Sequence, residues 1–255
     1  MIAGSTDSGK TTFFNSLVDK EVISPANSTE INIYLLNLEY DGCLQKITLI
    51  DTPGFGNSMN DGNLINSIVE YIKDQFDSYI EEETKIRRNP KYEDTRVHCL
   101  LYFIPATGNG LKQRDIEFLK KVHNLVNVVP VITKSEGLSH QELSELRFLI
   151  RHQLDYYKIY IFDFENEDVV SQAVLDAKLN SKVPFSCVFP MRLQEDARSR
   201  IHPSGTIEID NPAHNDFSTL KDALLNSHTD NLVEITSSDL YEKYRSETLE
   251  NILQD

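Results

Sequence analysis

Gly4-Ser5-Thr6-Asp7-Ser8-Gly9-Lys10-Thr11 reads G-x-x-x-x-G-K-[ST], placed between a strand-like stub and a helical pattern. The glycines let the backbone wrap a phosphate chain with several N–H groups pointing inward, and the opening turn of the helix adds positive potential. In that arrangement Lys10 bridges β- and γ-phosphate oxygens and Thr11 ligates Mg²⁺, with Gly4, Asp7, Ser8, Gly9 and Thr12 completing the candidate phosphate-binding set. Asp51-Thr52-Pro53-Gly54 ends a hydrophobic stretch, where a carboxylate behind Mg²⁺ (Asp51) and a γ-phosphate-sensing N–H (Gly54) belong. The same four residues could form an ordinary type I or II turn; with the phosphate loop upstream, the pair reads as a nucleotide site.

The elements that must hold these groups follow from hydrophobic period. Met1-Ile2-Ala3 reads as the last stub of a strand, so short that a longer parent chain or omitted segments are expected. Ile31 to Leu38 and Leu44 to Asp51 read as an antiparallel pair turning at Asp41-Gly42. Ile65, Ile68, Val69, Ile72, Phe76 and Ile80 line one face of a helix from about Asn63 to Thr84. Val97 to Ile104 and Val126 to Thr133 are almost wholly apolar, as parallel strands buried on both faces are, and the helical segment Lys112 to Asn124 separates them. A helix from His140 to Tyr156, strands at Lys158 to Phe164 and Pro184 to Val188, a hairpin around Pro203-Ser204-Gly205 and a helical tail from Asn215 complete a doubly wound α/β plan. No repeat and no dividing linker is visible, so 1–255 is expected to be one domain, with 1–165 as its core and 166–255 as a C-terminal part.

Composition narrows the partners. The 255 residues carry 25 Lys+Arg against 40 Asp+Glu, a net charge of -15 that repels nucleic acid. No apolar run approaches ~18 residues and no secretory signal opens the chain. Cys43, Cys99 and Cys187 are odd in number and far apart, which fits a reducing cytosol, and the seven histidines lack ligand spacing, so no metal other than Mg²⁺ is expected. The basic cluster Lys85, Arg87, Arg88 and Lys91 reads as a solvated loop.

DTPGFG (Asp51 to Gly56), RVHCLLYFI (Arg96 to Ile104), GLKQRDIEFLKKVH (Gly110 to His123), VNVVPVITK (Val126 to Lys134), EIDNPAHNDF (Glu208 to Phe217) and LYEKYRSETL (Leu240 to Leu249) resemble, in order and spacing, the GTP-binding domain of septins. The resemblance covers essentially the whole chain. It implies a P-loop GTPase-type three-layer α/β fold with a septin-specific C-terminal extension, and GTP or GDP with Mg²⁺ as ligands. It also implies slow or absent hydrolysis and end-to-end assembly with other septins into filaments, cytoplasmic and cytoskeletal, at the cell cortex or division site. Septins often bind membrane phosphoinositides through a basic segment upstream of the phosphate loop, which this chain does not show.

Four positions depart from the family pattern. Guanine recognition in this class uses an Asp two residues after a Lys; here Thr133-Lys134-Ser135-Glu136 carries the carboxylate one methylene further out, so weaker guanine selectivity is expected. Phe189 stands where septins usually have glycine, and either stacks on the base or fills the pocket. Arg200 aligns with the arginine that stacks on the base, while Ser204 replaces an interface tryptophan and Asn109 a histidine that reaches the neighbouring subunit's nucleotide. Counting back from Asp51 places Ser28, with Thr29 beside it, at the switch hydroxyl of active septins; either would serve if the segment orders, and both would otherwise be plain loop residues. A filament-forming subunit, a slow Mg²⁺-dependent GTPase and a nucleotide-free subunit or cap are the three functions this pattern admits.

Overall fold

The structure is a computed structural model that describes residues 1–20, 23, 30–40, 42–56, 61–87, 89–165, 178–189, 199–203 and 205–254. Six strands form its main sheet: β1 (Ile2–Gly4), β2 (Asn32–Tyr40), β3 (Cys43–Asp51), β4 (Cys99–Pro105), β5 (Asn127–Thr133) and β6 (Phe185–Cys187). Their order is β2-β3-β1-β4-β5-β6, and every neighbouring pair is parallel except β2 with β3. The stub at the start is therefore central, with Ile2 paired to both Asp51 and Leu101.

Successive side chains of β4 point to opposite faces, and both faces are covered. Leu101 and Phe103 join Phe13, Phe14 and Leu17 of helix α1 (Lys10–Val18) and Phe217 and Leu220 of α6 (Phe217–Asp222). Leu100, Tyr102 and Ile104 join Ile68 and Ile72 of α2 (Asp61–Thr84), Leu119 of α3 (Gln113–Val122) and Ile150 of α4 (His140–Tyr156). Two-sided burial is why the strand reads as a continuous apolar run. Helix α4 starts on a capping box, Ser139 Oγ accepting from Glu142 N while the Glu142 carboxylate accepts from Ser139 N. A single turn, α5, spans Leu179–Lys182.

The strand expected at Lys158 to Phe164 does not form. That segment runs beside β5 and makes one backbone bond to it, Phe162 N to Val128 O at 2.8 Å, while β6 pairs with β5 from Val131 to Thr133. Its apolar residues Ile159, Phe162 and Phe164 are nevertheless buried, which is the signal that imitates a strand.

The hairpin expected around Pro203 is present as β7 (Ser199–His202) and β8 (Gly205–Glu208). Beyond α6 the chain stays helical through a π-helical turn (Ala223–Ser227), α7 (Thr229–Ile235), a second π-helical turn (Thr236–Tyr241) and α8 (Glu242–Gln254). Asn127 fastens this tail to the sheet: buried on β5, its Nδ2 donates to His98 O, Leu232 O and Thr236 Oγ1 at 2.8 to 3.1 Å. Among the described residues no helix is long and apolar enough to cross a membrane.

Candidate functional site

The loop from Gly4 to Gly9 leaves the central strand and enters α1, so both of its ends are held by the core. Gly9 caps the helix at φ +91°, a left-handed conformation, and a Cβ there would lie 3.0 Å from the ring of Phe189. Lys10 curls back over the loop, its Nζ donating to Gly4 O at 3.2 Å and Ser5 O at 2.9 Å. Burial lowers the Lys10 pKa to about 8, against the opposing pull of Asp51 and Asp7. Asp7 is exposed, and Thr11 and Thr12 are half-buried in the first turn of α1.

The segment after β3 is stitched to this loop. Phe55 N donates to Gly4 O at 3.1 Å, Thr6 N returns a bond to Phe55 O at 2.9 Å, and Thr52 Oγ1 donates to Ile2 O at 2.8 Å. Gly54 passes so close that a Cβ would sit 2.6 Å from Thr6 Cα, so only glycine fits this approach. Asp51, at the strand end, has its carboxyl pushed up by burial while Lys10 opposes the shift. Asp61 then braces the far end of the segment: it accepts from Gly56 N and pairs with Arg114 at 2.6 Å. A cleft of about 610 Å³ opens between Ser5–Asp7, Phe55–Gly56 and Lys112–Arg114. Sequence reasoning missed the Asp61–Arg114 brace, because neither residue belongs to a phosphate motif.

On the other side of the loop, β5 ends at Thr133 and Lys134 adopts a left-handed conformation (φ 58°) before the 3-10 turn Ser135–Gly137. Ser135 Oγ accepts from Ser186 Oγ at 2.7 Å, tying that turn to β6. Glu136 forms an ion pair with Arg200 of β7, Nη2 to Oε1 at 2.7 Å, and Arg200 Nη1 donates to Phe189 O at 3.3 Å.

Phe189 corrects the sequence reading. Its ring is 4 % exposed and packs against Phe103 (5.7 Å, nearly parallel), Phe13 (5.6 Å, edge-on) and Phe217 (6.2 Å, edge-on). The ring is turned into the core, where it lies beneath Gly9 and floors the loop. Asn109 is exposed on the loop between β4 and α3. Ser28, Thr29 and Ser204 lie outside the described residues.

The donor set suits a nucleotide with Mg²⁺. Native folds leave few buried polar atoms unsatisfied. Among the described residues six side-chain atoms are left so: Arg114 Nε, Ser218 Oγ, Thr133 Oγ1 on the same motif as Glu136, and Ser8 Oγ, Asp51 Oδ1 and Glu136 Oε2, which lie on the phosphate, metal and base motifs. A phosphate chain, a hydrated hard cation and the N–H edge of a base are the groups that would satisfy the last three. Among the described residues no group of three or more His, Cys, Asp or Glu could hold another metal. Burial pushes the Cys99 thiol up to about 11 and the Cys187 thiol well up, so both stay protonated.

The septin family model matches residues 1–255. Cell division control protein 11 of Encephalitozoon cuniculi is 48% identical over 250 residues, covering 98% of this chain and 94% of that protein. Septin homolog spn3 of Schizosaccharomyces pombe is 37% identical over 268 residues, covering 98% and 72%. The crystal structure of Cdc11 from Saccharomyces cerevisiae superposes with a TM-score of 0.68 at 30% identity over 97% of each chain. The septin GTPase domain from Chlamydomonas reinhardtii, at 21% identity and a TM-score of 0.73 over 96% of each chain, shares the fold. Phosphate loop, doubly wound sheet, C-terminal helical extension and end-to-end similarity agree: the chain belongs to the septin family.

Proposed function

We propose that this septin is a filament subunit that binds guanine nucleotide with Mg²⁺ and assembles with other septins during cell division. The observation that carries the nucleotide reading is that four of the six orphaned side-chain atoms among the described residues, Ser8 Oγ, Asp51 Oδ1, Thr133 Oγ1 and Glu136 Oε2, lie on the phosphate, metal and base motifs. In this reading Gly4, Asp7, Ser8, Gly9, Lys10, Thr11, Thr12 and Gly54 surround the phosphates, Thr11 and Asp51 serve Mg²⁺, and Lys134, Glu136 and Arg200 meet the base. Mg²⁺, when bound, neutralises charge that develops on the phosphates. Lys10 has its two loop carbonyls to trade for phosphate oxygens, so the loop is already shaped when ligand arrives.

A role in cell division is the reading that the relatives' names support, one of them being called a cell division control protein, and assembly with other septins is the form of that role proposed for this chain. Asn109 and Ser204 are assigned to the contact across the nucleotide site, and division-site localisation follows from filament membership. Residues 1–165 and 166–255 are read as one folding unit, supported by the Asn127 bonds to the tail, by Gln45 Nε2 donating to Leu225 O at 2.6 Å and by the Lys221–Asp19 pair. Slow hydrolysis, with Ser28 or Thr29 supplying the switch hydroxyl, is secondary to assembly.

The test is the nucleotide content of freshly purified protein, released by heat and resolved by anion exchange, for wild type and Lys10→Ala. Stoichiometric GDP or GTP in the wild type, with affinity lost roughly 10- to 100-fold in Lys10→Ala, supports the binding reading; an empty wild type that also fails to take up added GDP ends it. Sedimentation of the full-length protein with partner septins tests assembly, and failure to associate with any septin removes it.

A further inference from the structure

The pair between Glu136 and Arg200 bears on which purine the pocket reads, an inference that rests on the nucleotide-binding reading above. Guanine presents two neighbouring donors, N1–H and the 2-amino group, and a carboxylate with both oxygens free accepts both. Here Oε1 of Glu136 already accepts from Arg200 Nη2 at 2.7 Å. Arg200 is itself held from the protein side: Nη1 donates to Phe189 O at 3.3 Å, and its strand is registered through the Arg200–Ile207 pair of the hairpin. The Glu136 side chain is 10% exposed, and Oε2 is the oxygen left buried without a hydrogen-bond partner. A buried acceptor left without a partner is the feature a ligand donor removes.

We infer that Arg200 makes Glu136 a single-acceptor reader, so that the pocket recognises the purine N1–H and is blind to the 2-amino group. The ligand class then widens from guanine nucleotides to 6-oxopurine nucleotides, with inosine diphosphate accepted alongside GDP. The extra methylene of glutamate carries the carboxylate out to this arginine, and the core position of the Phe189 ring leaves its carbonyl as the second anchor for the guanidinium.

The experiment is a calorimetric titration of the full chain, stripped of nucleotide, with GDP, inosine diphosphate and inorganic tripolyphosphate in the presence of Mg²⁺. A lost hydrogen bond to a carboxylate costs roughly tenfold or more in affinity, so the ratio of GDP to inosine diphosphate affinity reads the second acceptor directly. The expected ratio is below about fivefold in the wild type, rising at least about threefold in Arg200→Leu and in Arg200→Met, neither of which carries a donor for Oε1. A wild-type ratio above about fivefold, or one that neither substitution raises, overturns the inference while leaving nucleotide binding intact. Absence of binding by both nucleotides and by tripolyphosphate overturns the nucleotide-binding reading, and this inference with it. Should both variants fail to fold, as judged by their thermal transitions, the wild-type ratio alone decides.

Discussion

At Gly9 the missing side chain is what lets Phe189 close the core directly beneath the phosphate loop. The ring contacts three other phenylalanines, so Phe189→Ala should cost about 3–5 kcal/mol, read as a shift in the urea midpoint. It should leave the ratio of GDP to inosine diphosphate affinity unchanged; a folded, equally stable variant with altered base preference would return Phe189 to the base pocket. Lys10 makes a pH prediction. Its pKa near 8 means that the cation required by phosphate is present at pH 7 and is lost as pH rises through 8. Affinity for GDP should then fall by up to about tenfold per pH unit above that point, measured by titration from pH 7 to 9.5. The phosphate-loop residues were legible because their function needs a fixed local spacing. Phe189 was not, because the ring's direction depends on helix α1 and on Phe217, which local sequence around Phe189 does not contain.

Among the elements, the three-residue β1 works because both its neighbours, β3 and β4, pair with it and hand the loop to α1. The antiparallel pair β2–β3, helices α2 to α4 and the two buried parallel strands were readable from period alone, since each buries a face that its own sequence displays. The Lys158 to Phe164 segment was not, because burial of its apolar residues resembles a strand while a single backbone bond to β5 builds no ladder. Asn127 ties sheet to tail through a buried side chain. Asn127→Leu leaves the carbonyls of His98 and Leu232 and the hydroxyl of Thr236 without that donor and should cost about 2–3 kcal/mol. Faster amide exchange in α7 before global unfolding is the expected signature; uniform exchange across sheet and tail would show that the tail does not depend on this bond.

At the scale of the whole molecule, the C-terminal helices lie on α2 through tyrosines that donate to acids. Tyr244 OH donates to Asp77 at 2.9 Å and Tyr241 OH to Glu83, while Arg96 lies over the rings of Tyr79 and Tyr241. Burial and then the Asp77 bond push the Tyr244 phenol up to about 12; burial and Glu83 raise Tyr241 further. Below pH 10 the folded and unfolded chains both keep these protons, whereas from pH 10 to 12 only the folded chain does, so stability is lost as pH rises through that window. Lys10 has the opposite sign: between its lowered pKa near 8 and the ordinary value of 10.5 the unfolded chain binds the extra proton, and stability gains with pH. Urea midpoints measured from pH 8 to 11.5 should therefore bend downward above pH 10, and Tyr244→Phe should flatten the descent. An unaltered descent in that variant would detach the tyrosines from the alkaline loss.

By itself the sequence determined the turn between β1 and α1, the close approach of the Asp51 segment, most of the alternation of strands and helices, and the family to which the chain belongs, because spacing, turn chemistry and hydrophobic period are local properties. Only the tertiary structure decided that Phe189 is core, that Lys158 to Phe164 stays outside the sheet, and that Glu136 meets Arg200. Those outcomes depend on which strand occupies which edge and on residues far apart in the chain, and no window of sequence holds both partners of such a contact.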